Sequence, residues 1–204
     1  RGQYSAMPNP HVGCVLVRDG HVIGEGYTRP AGGNHAEIEA LLAAGDAAGA
    51  VAYVTLEPCS HQGKTGPCAD ALIAAGVTRV VVATLDPNPL VAGQGLEKLR
   101  AAGIEVDCGL LETEARQLVP GFISRMTRGR GRVRAKLAMS LDGRTAMASG
   151  QSQWITGQQA RSDVQRLRAC SCAVMTGIDT VLADDAALTV RPAELGLDNA
   201  ELIA

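Results

Sequence analysis

The sequence predicts an α/β protein in which a partly parallel sheet is covered by helices. Three observations support this fold class. Two short apolar runs flank a turn signal at Asp19-Gly20, which predicts a β-hairpin. Helical segments and buried-type strands then alternate in the order α-β-α-β-α-β. Gly45, Gly76 and Gly103 follow the predicted helices and indicate where each one ends.

The elements of the first half follow in chain order. Residues 11–17 and 21–27 are the hairpin strands, and Gly32 and Gly33 lie in the loop that follows. Asn34 is predicted to cap the next helix with its side chain. The remaining elements are helices at 35–44, 68–75, 96–102 and about 112–126, and strands at 51–56, 78–85 and 104–108.

A basic stretch separates the two halves of the chain. Arginines at 125, 128, 130, 132 and 134 are interleaved with Gly129 and Gly131, a pattern typical of an exposed linker; a phosphate-binding arm is the alternative. The domains are therefore predicted as 1–128, a linker at 129–132, and 133–204. In the second domain we predict a strand at 133–139, a helix at 158–168 and a strand at 172–176.

Composition excludes several classes of function. The 204 residues are 46% hydrophobic, enough for one large domain or two small ones. An aromatic content of 2% and a net charge of -2 argue against nucleic-acid or anionic-membrane partners. No apolar run approaches the roughly 20 residues of a membrane span. No signal peptide is recognised and six cysteines are too sparse for a disulfide scaffold, which predicts reduced thiols in a cytoplasm.

One constellation carries the chemistry of the first half: His35 and Glu37, followed by Pro58-Cys59 and Cys68. One histidine and two cysteines can hold Zn²⁺ and leave a fourth position open, as in catalytic zinc sites. The pattern H-x-E followed by P-C-x-x-C characterises zinc deaminases. Here eight residues, rather than two, separate the cysteines.

The predicted helices give this spacing a geometric meaning. His35 and Cys68 fall in the first turns of two helices, whose N-termini favour thiolate over thiol if they converge. Glu37 is the predicted catalytic residue, which moves protons between water and the departing ammonia. The alternatives are an ordinary polar helix start, two buried thiols, or a structural zinc closed by His61.

Residues 2–128 resemble the deaminase half of the bacterial bifunctional riboflavin-biosynthesis deaminase/reductases. The resemblance lies in Pro8-Asn9-Pro10, Val12-Gly13-Cys14, His35-Ala36-Glu37, the segment from Thr55 to Cys68, and Asp86-Pro87-Asn88-Pro89. It implies a cytidine-deaminase-like three-layer α/β/α domain. The implied reaction removes the 2-amino group from a diaminopyrimidinone that carries a phosphoribosylamino group.

The resemblance also implies how the substrate is held. His61 and Lys64, in the loop between the cysteines, would bind the 5-phosphate, with a solvated loop as the alternative. Asn9 and Asn88 would bond the pyrimidine edge or the ribose, unless they are plain turn residues. Gly66 stands where the family usually has a second proline, which removes no ligand.

Residues 133–191 resemble the start of the same family's reductase half, which is similar to dihydrofolate reductase in fold. The matching stretches are Lys136 to Arg144, Ser152 to Thr156, Thr180 to Asp185 and Leu188 to Arg191. By position, the NADPH contacts would be Ala138, Trp154, Thr180 and Asp184. The substrate contacts would be Ser152, Arg168, Leu188 and Arg191. Packing is an equally good explanation for Ala138 and Leu188, and a core or lid role remains open for Trp154.

The second half departs from that family. Its reductase continues beyond residue 204 and supplies a glycine-rich loop for NADPH, whereas Cys172, Asp179 and Ala186 replace the usual residues here. We therefore expect a fragment or a vestigial half, and no competent reductase. The resemblance implies a small-molecule substrate and a homo-oligomer. Rival functions are a nucleoside or tRNA deaminase, a non-catalytic structural zinc protein, and a silent partner of a complete enzyme.

Overall fold

The computed structural model describes residues 2–63, 66–89 and 91–196. The chain divides into two compact units on either side of the Arg132–Val133 bond. Among the described residues, only the first unit contains a β-sheet. No described helix is long and apolar enough to cross a membrane. The domain limits expected from the sequence, with a linker at 129–132, stay a prediction.

The first unit is built on a mixed sheet. Its strands are β1 (Gly13–Arg18), β2 (His21–Tyr27), β3 (Val51–Val54), β4 (Arg79–Val82) and β5 (Glu105–Cys108). The strand order is β2-β1-β3-β4-β5, and β1 runs antiparallel to both of its neighbours. The pairs β3–β4 and β4–β5 are parallel. The predicted partly parallel sheet is therefore confirmed.

The hairpin between β1 and β2 forms where the turn signal predicts it. Asp19 and Gly20 have positive φ angles of 53° and 75°. Positive φ at both central residues is the requirement of a two-residue type I′ turn, whose twist matches that of the flanking strands. The Asp-Gly pair is suited to this backbone because both residue types tolerate left-handed angles.

Three helices cover one face of the sheet. The helices of the first unit are α1 (Ala36–Ala44), α2 (Cys68–Ala74), α3 (Gln94–Ala101), α4 (Glu112–Leu118) and α5 (Pro120–Arg128). Leu16, Val80 and Val82 occupy alternate strand positions on the covered face and are fully buried. Leu72 from α2 and Leu99 from α3 join them in one core cluster.

Helix α1 packs unusually close to the edge strand β2. A Cβ atom on Gly24 would lie 2.3 Å from the carbonyl oxygen of Ala40. One on Gly26 would lie 2.1 Å from the carbonyl oxygen of Ala36. Both distances are far below van der Waals contact, so only glycine permits this approach. The packing fixes the start of α1 against the sheet, and with it the position of His35.

Two local predictions in this unit are wrong. Asn34 does not cap α1: the N-cap residue is His35, and the Asn34 side chain instead donates a hydrogen bond to Glu39. The helix expected at about 112–126 is divided into α4 and α5 at Val119, because Pro120 lacks the N–H that would continue α4. Pro120 suits the first position of a new helix.

The second unit contains α6 (Gln158–Ala169), α7 (Ile178–Asp184) and a 3-10 helix at Pro192–Leu195. The strands predicted at 133–139 and 172–176 are wrong. A strand needs a hydrogen-bonded neighbour, and the described residues of this unit provide none. Apolar side chains of both segments are consequently exposed, with Val133 at 90% and Met175 at 93%.

Candidate metal centre

The three predicted metal ligands come together at one end of the first unit. His35 is the N-cap residue of α1, Cys68 is the first residue of α2, and Cys59 lies in the loop after β3. Helices α1 and α2 are in contact, so their N-termini converge as the sequence predicts. The ligand atoms of the three residues all lie within 4.8 Å of one another.

The start of α2 organises this cluster. The Cys68 N–H donates to the Cys59 Sγ at 3.3 Å, and the Ala69 N–H donates to the Cys59 carbonyl at 3.1 Å. Free N–H groups at a helix N-terminus favour a negatively charged partner. The His35 Nδ1 lies 3.6 Å from the Cys59 Sγ and 3.4 Å from the Cys68 Sγ.

The two thiols share their protons unequally. A hydrogen bond from the Cys68 thiol lowers the pKa of Cys59 well below its usual range, and His35 acts in the same direction. The same hydrogen bond, together with burial, raises the pKa of Cys68. The hydrogen bond to Cys59 also raises the pKa of His35. A metal ion would displace the remaining proton, because thiolates are its ligands.

The donor set fits zinc. Two sulfurs and one imidazole nitrogen are borderline-soft ligands of the kind that Zn²⁺ prefers. Among the residues that the structure describes, His35, Cys59 and Cys68 form the one cluster of metal-ligand type. His61, the predicted closing ligand of a structural site, is exposed and lies outside that cluster.

Glu37 lies beneath the cluster and is almost inaccessible, at 3% exposure. Burial raises the pKa of Glu37 to about 7, and its carboxyl group is hydrogen-bonded to the Cys68 thiol. A carboxyl group that titrates near neutrality can both accept and return a proton. The burial of Glu37 and its contact with Cys68 are consistent with its predicted role in moving protons at the metal centre.

A pocket opens beside the cluster. It is lined by Asn9, Gly32, Gly33, His35, Cys59, His61 and Gly63. The structure therefore brings the predicted substrate residues Asn9 and His61 to the same opening as two metal ligands. Lys64 lies outside the described residues. Asn88 lies in the β4–α3 loop and is not among the lining residues.

The loop that carries Gly32 and Gly33 forms part of the pocket wall. Gly32 and Gly33 lie in a loop that is closed by a hydrogen bond from the Arg29 N–H to the Asn34 carbonyl, at 3.0 Å. Glu39 on α1 fastens this loop, since it accepts from Arg29 Nε at 2.6 Å and from the Asn34 side chain at 2.9 Å. No single-sequence signal indicates this clamp.

The loop that carries Asn88 borders the site electrostatically. The Asp86 side chain accepts the Asn88 N–H at 2.8 Å, and the Asn88 carbonyl accepts the N–H groups of Val91 and Ala92. Burial raises the pKa of Asp86, while the charge of His61 lowers it and that of Cys59 raises it further. Asp86 is thus within electrostatic range of the metal ligand and the pocket.

The structure shows where the predicted substrate residues of the second unit lie, and their role stays a prediction. Arg168 donates to the carbonyls of Ala187 and Thr189, at 3.3 and 3.1 Å, which brings it beside Leu188. Arg191 is held nearby through Gln165 and pairs with Glu194. Both guanidinium groups therefore contact the protein itself. Ser152 is exposed in a loop.

The structure describes all four predicted NADPH positions, and their contact with the cofactor stays a prediction. Trp154 is 68% exposed and stacks against the Arg161 guanidinium, 4.6 Å from the ring centroid. Thr180 and Asp184 lie on α7, which buries none of its residues, and Ala138 lies in the unpaired segment 133–139.

Comparison with known proteins identifies the class of each unit. Residues 1–84 match the family described as the cytidine and deoxycytidylate deaminase zinc-binding region. Residues 132–200 match the family described as the RibD C-terminal domain. The first unit is thus a cytidine-deaminase-like α/β domain, followed by the start of a reductase-type region.

The chain belongs to the RibD family of riboflavin-biosynthesis proteins. It is 62% identical to the Escherichia coli (strain K12) protein over 196 residues, which is 96% of this chain and 53% of that protein. It is 57% identical to the Haemophilus influenzae protein over 192 residues, covering 94% of this chain and 52% of that one. The chain therefore spans about half the length of the curated relatives that it matches.

Solved structures agree with this assignment. Form 2 of Acinetobacter baumannii RibD is similar with a TM-score of 0.91 and 57% identity, over 99% of this chain and 56% of that one. A Thermotoga maritima protein has a TM-score of 0.88 and 45% identity, over 93% of this chain and 55% of that one. That protein is described as a diaminohydroxyphosphoribosylaminopyrimidine deaminase/5-amino-6-(5-phosphoribosylamino)uracil reductase.

Proposed function

We propose that the first unit is a zinc-dependent pyrimidine deaminase of riboflavin biosynthesis. The reaction is the hydrolysis of 2,5-diamino-6-(5-phosphoribosylamino)pyrimidin-4(3H)-one to 5-amino-6-(5-phosphoribosylamino)uracil and ammonia. The observation that carries the proposal is the convergence of His35, Cys59 and Cys68 above the buried carboxyl of Glu37. The name of the similar Thermotoga maritima protein supports the choice of substrate.

Each residue of the centre has a distinct role. His35, Cys59 and Cys68 would hold a zinc ion, which would make water nucleophilic near neutral pH. The Glu37 carboxylate accepts a proton from the attacking water. It delivers that proton to the ring nitrogen, then takes the proton of the added hydroxyl and passes it to the departing amino group, so that ammonia leaves and a carbonyl remains. Burial keeps bulk water away from this proton transfer.

The pocket supplies substrate recognition. Asn9 at the pocket wall and Asn88 in the neighbouring loop bond the pyrimidine edge or the ribose. His61 and Lys64 bind the 5-phosphate, and the position of His61 at the pocket supports its part in this. A cation there distinguishes a phosphorylated substrate from a free nucleoside.

The second unit has a separate role in the proposal. NADPH-dependent reduction of the ribose is what the family resemblance implies for the complete second domain. Cys172, Asp179 and Ala186 depart from the family's usual residues, and the described residues 133–196 form no sheet, so we expect this chain to oxidise no NADPH with the deaminated product. The enzyme is proposed to be cytoplasmic and homo-oligomeric. The net charge of -2 supports the absence of a nucleic-acid partner.

Glu37→Gln tests the mechanism. The amide keeps the size of the side chain but cannot accept the proton, so ammonia release should fall by about 10³-fold or more while zinc content is unchanged. Glu114→Gln, on the exposed surface of α4, is the matched control and should keep wild-type turnover. If Glu37→Gln keeps most of its turnover, the proposed mechanism is wrong.

A further inference from the structure

We propose that Glu57 is a positioning residue that holds the loop of Asp86 and Asn88 beside the metal centre. The inference rests on the proposed deaminase function, for which Asn88 is a substrate contact. Glu57 itself is buried, with 4% exposure, and is therefore not placed to touch the substrate. It acts through the backbone of the loop.

The Glu57 carboxylate accepts three backbone hydrogen bonds from the β4–α3 connection. Oε2 accepts the N–H groups of Asp86 at 3.1 Å and Gly93 at 3.0 Å, while Oε1 accepts the N–H of Gly95 at 2.9 Å. Buried carboxylates need such partners because desolvation otherwise disfavours their charge. Both carboxylate oxygens of Glu57 therefore accept hydrogen bonds from backbone N–H groups.

These contacts hold the loop at both ends. Asp86 begins the loop. Gly93 is the N-cap residue of α3 and has no side chain that could cap it, and Gly95 lies in the first turn of the helix. The carboxylate takes that role, and a negative charge is favourable at a helix N-terminus. A Cβ on Gly95 would lie 2.1 Å from the Pro58 carbonyl oxygen, so α3 is seated directly on the Glu57-Pro58 segment.

A short chain of bonds leads from Glu57 to Asn88. Glu57 accepts the Asp86 N–H, and the Asp86 side chain in turn accepts the Asn88 N–H. In the other direction, only the buried Pro58 separates Glu57 from the metal ligand Cys59. The Glu57 backbone N–H also donates to the Thr84 carbonyl, which ties the ends of β3 and β4 together. One side chain therefore fixes the loop relative to the metal ligand.

Glu57→Gln removes this match while preserving size. The amide places an NH₂ group against at least one backbone donor, so the loop loosens although the core remains filled. We expect KM for the phosphoribosyl diaminopyrimidinone to rise about tenfold or more, kcat to change less than about threefold, and zinc content to stay constant. Glu97→Gln, exposed on α3, is the control and should change neither constant.

A double-mutant cycle separates positioning from a general structural effect. If Glu57 acts through Asn88, Glu57→Gln and Asn88→Ala should be non-additive in kcat/KM, with the double variant close to the worse single variant. Additive losses, or a normal KM in a folded Glu57→Gln protein with normal zinc content, would overturn the proposal.

Amide hydrogen exchange in the wild-type protein provides a measurement that does not depend on any variant folding. The Asp86, Gly93 and Gly95 amides should be protected as strongly as those of β3 and β4. Exchange as fast as in exposed turns would overturn the proposal. If the wild-type protein releases no ammonia at all, the proposed function fails, and these three amides then decide whether Glu57 holds the loop.

Discussion

The first unit buries one face of its sheet under three helices, whereas the second unit buries little of its described chain. Leu16, Val80 and Leu99 are fully buried in the first unit. Among described residues of the second unit, only Gln165 and Ala169 are buried. Both units carry long family motifs. The difference shows that a motif can identify a family in a segment whose described residues bury few side chains.

The two units also differ in how their predicted site residues are arranged. In the first unit, parallel strands and helix N-termini bring the ligand atoms of His35, Cys59 and Cys68 within 4.8 Å of one another. In the second, Trp154 is exposed and Arg168 contacts carbonyl groups of its own unit. We therefore expect perturbations of the first unit to change activity strongly and those of the second to change it little.

The largest effect should come from removing a metal ligand. Cys68→Ser should lower zinc content and reduce ammonia release by about 10³-fold or more, because the site loses a thiolate and the proton chemistry around it. Cys172→Ser in the second unit is the matched control and should retain zinc and turnover. Metal analysis and an ammonia assay on the same samples test this. Equal losses in the two variants would show that the activity depends as much on the second unit as on the metal ligand.

A smaller but still large effect is expected at the α1–β2 contact. Gly26→Ala forces a Cβ against the Ala36 carbonyl and should lower the free energy of unfolding of the first unit by about 2 kcal/mol or more. Gly131→Ala, where a Cβ would meet nothing within 4 Å, is the control and should be close to neutral. The free energy of unfolding of each variant is measured by urea unfolding and by hydrogen exchange of the β1 and β2 amides. A Gly26→Ala protein as stable as the wild type would contradict the close packing of α1 on β2.

Limited trypsin digestion should distinguish the units by about tenfold or more in cleavage rate. Exposed basic residues at Arg134, Lys136 and Arg144 lie in segments without helix or strand. Arg79 and Arg100 are also exposed but lie in β4 and α3. Mass spectrometry should therefore show early cuts in the second unit and a persistent fragment of the first. Simultaneous cleavage in both would show that the units are equally stable.

The smallest effect concerns the clamp on the pocket loop. Hydrogen bonds from Asn34 and Arg29 lower the pKa of Glu39, so its stabilising contribution is present above the unfolded-state pKa of about 4.3 and lost as pH falls through the lower folded-state value. Glu39→Gln should lower the stability by less than about 1 kcal/mol at pH 7. The melting temperature of Glu39→Gln should be below that of the wild-type protein at pH 7, and the two should be equal at about pH 3.

The control for that experiment is an exposed ion pair of ordinary kind. On α4, the Glu112 Oε1 lies 3.7 Å from the Arg116 Nη1. Glu112→Gln should leave the melting temperature almost unchanged at either pH. A Glu39→Gln effect that persists in acid would show that the clamp acts through packing instead of charge.

The elements of the first unit were predicted well because turn residues, hydrophobic patterns and helix-end residues each indicate the same fold. The Asp19-Gly20 turn, the helix-strand alternation and the placement of His35 and Cys68 at helix starts each follow from short stretches of chain. The break at Val119 was not predicted, although Pro120 is a local signal for it because proline lacks the N–H that continues a helix. The Asn34 side chain was misassigned because its hydrogen-bond partner, Glu39, competes with the capping position.

Long-range features could not be predicted in the same way. Gly95 precedes the helix predicted at 96–102, and only the fold reveals that it lies against the Pro58 carbonyl. Residues 133–139 have strand composition, yet a strand is a property of a pair and not of one segment. The roles of Asn9 and His61 rest on resemblance, to which the structure adds their place at one pocket.

The central claim is that the His35–Cys59–Cys68 centre of the first unit performs hydrolytic deamination. The most direct test is ammonia release from 2,5-diamino-6-(5-phosphoribosylamino)pyrimidin-4(3H)-one by the whole chain, with zinc measured on the same sample. We predict about one zinc ion per chain, and turnover with this compound but not with cytidine. Zinc-loaded protein that releases no ammonia from this compound, or that prefers cytidine, would show that the centre does not have this activity.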